Sequence, residues 1–210
     1  MKTVLLSIAI AVTFASCQKD KKQNSETATL EFQTKTYEKK TALPCKTAVC
    51  AEVKIVVPEV SNVPVVADSI NKKIFNTVRG IVYFGEKPSD GKTYEEVMLA
   101  FIDSYDKMKE EYADERPGWE AKVEASVAYT SDKILNIKLH NYTFTGGAHG
   151  YDGNRSLIFD KATGRSLEKN DILKDTVAFK VLAEKKFREK FKIPAAKPIN
   201  STGMMFMKEV

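Results

Sequence analysis

His140, His149 and Asp152 are the side chains of this chain best suited to hold a metal ion or move a proton. They lack the short i, i+4 spacing with which a helix presents two imidazoles to one metal, so neither a metal nor a cofactor is expected. In a strand over residues 134–144, His140 shares the more polar face with Asn136, Lys138 and Tyr142, where a histidine serves as a surface or hydrogen-bonding residue. Gly146 and Gly147 raise a second chemistry, because the backbone amides of a glycine pair can cradle an anion. No phosphate-loop Lys-Ser/Thr follows them, and a sharp turn leaving the strand accounts for the pair more simply. Gly146, Gly147, His149 and Tyr151 nonetheless form the best ligand-binding candidate, since recognition concentrates on loops carried by a rigid sheet. No pair of carboxylates can be located as an acid and base for glycan chemistry. No Ser-His-Asp or Cys-His arrangement stands out either, so no catalytic residues are expected.

The thiols speak to location. Lys2 gives a positive start, and Val4 to Phe14 form an apolar run shorter than the roughly 20 residues that span a bilayer. Small residues then precede Cys17. This is the pattern of an export signal over residues 1–16. Phe14-Ala15-Ser16-Cys17 resembles the lipobox of bacterial lipoproteins, with Phe14 where leucine is usual. The resemblance implies that Cys17 is lipidated and becomes the new N-terminus. With 3 cysteines in the chain, this leaves Cys45 and Cys50. A disulfide between them suits an oxidising compartment; free or metal-bound thiols are the rival reading.

Composition agrees with one substantial domain or two small ones in 210 residues. Removing the leader takes Lys2 and lowers the formal charge from +5 to +4. That mild balance, without an arginine stripe interleaved with aromatics, gives no reason to expect a nucleic-acid partner. A hydrophobic fraction of 43% is enough for an ordinary core.

Residues 17–27 carry no apolar side chain after Cys17 and are expected to form a flexible, lipid-anchored linker. Residues 28–118 read as an N-terminal α+β part. A strand with Leu30, Phe32 and Tyr37 breaks near Lys39-Lys40, and a second with Val53, Ile55 and Val57 is expected to stop at Pro58. Val66, Ile70, Ile74, Val78 and Ile81 then recur at helical spacing. Thr93-Tyr94-Glu95-Glu96 has the form of a capping box opening a helix. Its inner face carries Val97, Phe101, Tyr105, Met108 and Tyr112, and its outer face is acidic. From Trp119 the period changes to two, through Val123 to Tyr129 and then Leu135, Ile137 and Leu139. A third strand is expected over 155–160, followed by a turn at Lys161-Ala162-Thr163-Gly164. A final helix after Asp175 is expected to turn Phe179, Leu182, Phe187 and Phe191 mostly inward, with a basic outer surface. The fold class expected is α+β: an antiparallel meander packed by helices, behind a signal peptide and tether.

Residues 142–150 read Tyr-Thr-Phe-Thr-Gly-Gly-Ala-His-Gly. Phe159-Asp160, Thr163-Gly164-Arg165 and Asp171-Ile172-Leu173 follow. This order resembles the C-terminal domain of unknown function shared by the anti-sigma factor RsiV and the peptidoglycan deacetylase PdaC. The resemblance covers roughly residues 119–210, and the earlier part looks like the smaller domain that often precedes it. The family's domain usually continues beyond the last helix, so truncation at Val210 is one expectation. PdaC carries its metal-dependent chemistry in a separate domain for which this chain has no room. The resemblance implies an extracytoplasmic module that recognises envelope material, which in RsiV is lysozyme. Gln18-Lys19-Asp20 is similar to the surface-export signals of Bacteroidetes lipoproteins. The function expected is therefore non-catalytic. An outer-membrane lipoprotein, facing the periplasm or the cell surface, would bind cell-wall glycan (peptidoglycan) or a lysozyme-like protein. The alternatives are a glycan-modifying enzyme and a purely structural lipoprotein.

Overall fold

The structure, a computed structural model, describes residues 29–44, 51–112 and 118–202. Cys17, Cys45 and Cys50, the leader, the linker and residues 203–210 lie outside them, and so do the lipidation and disulfide expectations. Strands β1 (Phe32–Lys40) and β2 (Glu52–Val60) precede helices α1 (Pro64–Arg79) and α2 (Tyr94–Glu111). Strands β3 (Glu120–Thr130), β4 (Ile134–Phe144), β5 (Tyr151–Asp160) and β6 (Ser166–Leu167) follow. Helices α3 (Lys169–Ile172) and α4 (Thr176–Phe191) and a 3-10 turn (Ile199–Thr202) end the described chain.

The six strands form one sheet in sequence order. All neighbours are antiparallel except β2 and β3, which run parallel with Glu52 beside Glu120 and Val56 beside Glu124. That step requires a crossover, which α1 and α2 supply. The α+β class and the helix-packed meander are therefore as expected, with one parallel pairing added. The boundary at residue 118 falls between two hydrogen-bonded strands of this sheet, and one apolar core spans both sides of it.

Alternation explains which face is buried. Val53, Ile55 and Val57 on β2, Ala121 and Val123 on β3, and Leu135, Ile137 and Leu139 on β4 point to one side. Val66, Ile70, Ile74 and Val78 of α1 and Val97, Phe101 and Tyr105 of α2 complete the core. The opposite face is wet and carries ion pairs such as Lys54–Glu38 and Lys122–Glu120, as a one-sided antiparallel sheet permits.

Three local expectations are corrected. Pro58 does not stop β2, which continues to Val60. The backbone of Val60 faces away from β1 toward the Asn71 side chain, at 2.9 Å and 3.0 Å. Pro58, two residues earlier, faces the same way, and β3 pairs with β2 only as far as Val56. The missing N–H therefore falls on an open edge, where proline is tolerated. The capping box at Thr93 is half formed. Its hydroxyl accepts from the Glu96 amide at 3.2 Å, while the Glu96 carboxylate reaches the Lys92 amide at 2.6 Å.

The third correction concerns α4. None of its residues is buried, and Phe179 and Leu182 are 48% and 53% exposed. Its apolar residues, Val177 and Val181 among them, wrap around the helix instead of forming the single stripe that a core contact needs. Phe187 stacks on Phe191 at 4.5 Å, and Arg188 ties the helix to its own exit through the carbonyls of Pro194 and Lys197.

Candidate functional site

The β4–β5 hairpin carries every ligand-binding residue singled out above. Strand β4 pairs with β5 from Ile134 to Thr143, which puts Asn141 beside Gly153 and Thr143 beside Tyr151. Gly146 and Gly147 in the connection adopt φ of 100° and 92°, and a side chain at either would meet nothing within 4 Å. They serve the turn's backbone conformation, not close approach. His149 is exposed, and its Nδ1 lies 3.2 Å from the Gly150 carbonyl oxygen. Gly150 has the opposite reason to be glycine: a Cβ there would lie 2.5 Å from the Tyr142 ring.

Strand β5 begins at Tyr151, ahead of the expected residue 155. Tyr151 is thus the first residue of a strand, 61% exposed, and not part of the loop. Strand periodicity then separates two faces. His140 and Asp152 meet on the wet face, with Nε2 and Oδ2 2.8 Å apart and both side chains largely exposed. Among the described residues no group of three or more histidine, cysteine or acidic side chains converges as a metal site.

On the helix-facing side the aliphatic row of β4 changes character. Leu135, Ile137 and Leu139 are followed by Asn141, Thr143 and, just past the strand, Thr145. With Tyr151 and Arg155 of β5 they form one wall and the floor of a cleft of about 500 Å³. The segment after α1, with Tyr83 and Phe84, forms the other wall. Phe84 rests on the buried Trp119 ring at 4.3 Å. Arg155 Nη1 donates to Asn141 Oδ1 at 2.5 Å. Asn141 is 1% exposed, and its Nδ2 has no partner among the described residues. The four ligand-binding candidates are not brought together in this cleft: Tyr151 lines it, while Gly146, Gly147 and His149 do not.

Sequence reasoning missed Asn141 and Arg155. The available signal was an amide continuing the core-facing row of three aliphatic residues, a position where a polar side chain needs a reason. A second hollow of about 530 Å³ lies between β1, β2, the middle of α1 and the start of α2, lined by Tyr37, Phe75 and Tyr94 among others. Burial is the main cause that pushes the Tyr94 hydroxyl well above its ordinary range, so this ring stays neutral.

Residues 44–152, more than half of the chain, match the family described as "Deacetylase PdaC". The match reaches further toward the N-terminus than the resemblance seen from residue 119 onward. No curated protein matches the sequence. Several solved structures share the fold, two DUF3298 family proteins among them. A DUF3298 family protein from Pseudomonas aeruginosa PAO1 is 21% identical with a TM-score of 0.57, over 80% of this chain and 70% of that one. A DUF3298 family member from Bacteroides fragilis is also 21% identical, with a TM-score of 0.61 over 81% and 72%.

Proposed function

The chain belongs to the family described as deacetylase PdaC, and from that premise we propose that it works as a non-catalytic binding module of the cell envelope. Attachment through a lipid on Cys17 would place it on the outer membrane, facing the periplasm or the cell surface. The ligand is cell-wall glycan or a lysozyme-like protein. The observation that carries this reading is the β4–β5 hairpin. It holds the exposed 146–149 connection and the Tyr151 cleft side by side on strands paired from Ile134 to Thr143. Such a scaffold presents recognition groups without needing to order them on binding.

Of the two ligands, glycan fits the charge better. A basic partner calls for an acidic surface, and among the described residues the one charged side chain lining the cleft is Arg155. The test is retention of the full-length protein, in detergent, on purified peptidoglycan and on immobilised lysozyme. Retention on either, weakened by Tyr151→Ala, supports the reading. Retention on neither contradicts it, and turnover of labelled glycan by the pure protein would replace it with an enzymatic one. Labelling with a fatty-acid probe, lost in Cys17→Ala, tests the anchor; equal labelling of both contradicts it.

A further inference from the structure

We propose that the cleft between the β4–β5 hairpin and the segment after α1 takes a sugar ring bearing a carboxylate. This rests on the binding role given above for this end of the sheet, and it adds the chemistry of the ligand.

Asn141 is where the argument starts. A guanidinium only donates, so its bond to Oδ1 fixes which way the amide points and leaves Nδ2 as the end without a partner. A buried donor without a partner is costly to keep. The aliphatic row of β4 could have continued here at no such cost, so the amide is retained for what it does to Arg155. Its neighbour across the hairpin agrees. A Cβ at Gly153 would lie 2.8 Å from Asn141 Oδ1 and 3.3 Å from Arg155 Nη1, so glycine leaves the room that the pair occupies. The guanidinium is thereby held at the floor of the cleft with most of its N–H groups still to be used.

The charge balance then selects the anion. Among the described residues, Arg155 is the one charged side chain lining the cleft, and no acidic residue lines it. It takes part in none of the ion pairs among the described residues. One planar guanidinium matches one carboxylate, which it can grip through two parallel hydrogen bonds. A phosphate dianion would call for a second cation or a nest of amides, and Gly146 and Gly147 do not line the cleft.

The remaining walls select the body of the ligand. Tyr83, Phe84 and Tyr151 offer flat apolar faces on which sugar C–H groups can stack, and Thr143, Thr145 and Tyr151 offer hydroxyls for its polar edge. The volume of about 500 Å³ lies in the range that holds a small ligand.

Ligand-observed NMR titration of the full-length protein in detergent, with galacturonic acid, galactose, acetate and a tripeptide with a free C-terminus, tests this directly. Galacturonic acid is expected to bind about tenfold or more tighter than galactose or acetate. Arg155→Met should erase that preference while galactose binding persists, and Tyr151→Ala should weaken both sugars. Arg155→Lys, which keeps the charge without the planar fork, should lose most of the preference and guards against misfolding of the methionine variant. Equal binding of galacturonic acid and galactose, of acetate and galacturonic acid, or tighter binding of the tripeptide would overturn the assignment. Peptidoglycan retention without galacturonic acid binding would overturn this inference alone; failure of both would remove the binding role as well.

Discussion

Gly153 and Asp160 show how single residues of β5 set local geometry, the first beside the cleft and the second at the turn that ends the strand. Asn141 is buried and cannot retreat, so a methyl group at Gly153 must push either its amide or the strand. Gly153→Ala is expected to cost about 1–3 kcal/mol of stability by overpacking, seen as a lower urea midpoint, and to weaken sugar binding. An unchanged midpoint would mean that the Asn141–Arg155 pair is looser than its 2.5 Å bond indicates. Asp160 accepts from the hydroxyl and amide of Thr163 at 2.8 Å and 2.9 Å. These bonds, the hydroxyl's first, hold its carboxyl below the ordinary range. A depressed folded-state pKa gives stability that is present above the unfolded value of about 4 and is lost as pH falls through the folded value. The gap in urea midpoint between wild type and Asp160→Ala should therefore be largest near neutral pH and narrow below about pH 4. A gap independent of pH would contradict that account.

At the scale of elements, what was legible in the sequence followed periodicity and what was not depended on distant partners. Val66, Ile70, Ile74 and Val78 mark α1 by spacing alone, and each is buried. Leu135, Ile137 and Leu139 mark the inner face of β4, and Gly164 adopts the positive φ its turn predicts, at 71°. The continuation of β2 through Pro58 was hidden because it depends on where β3 stops pairing, a fact of the sheet and not of the strand. The parallel β2–β3 step was hidden for the same reason. In α4 the aromatic residues encouraged an inward reading although they share no stripe. The cleft was only half legible: Tyr151 stood out by type, while Asn141 and Arg155 acquire meaning only through the register that sets Asn141 beside Gly153. The contrast between α1 and α4 is measurable. Ile74→Ala should cost about 2–5 kcal/mol, as a fully buried aliphatic truncation does, and Leu182→Ala less than about 0.5 kcal/mol. Comparable losses from the two would mean that α4 is packed.

The described residues form a one-sided sheet on which α1 and α2 cover the aliphatic region and leave one end of the same face open. At that end the inner row turns from leucine and isoleucine to asparagine, threonine and arginine, and the dry core becomes a polar cleft without a change of scaffold. No helix among the described residues is long and apolar enough to cross a membrane. The anchor proposed at Cys17 would bring this cleft to the envelope. The acidic outer face of α2 and the basic surface of α4 are the competing locations for a partner. Chemical-shift mapping of the labelled full-length protein with soluble peptidoglycan fragments separates the three most directly. Shifts clustered on the 146–149 connection, Asn141, Tyr151 and Arg155 are predicted; shifts confined to α2 or α4, or none at saturating fragment, would contradict the account.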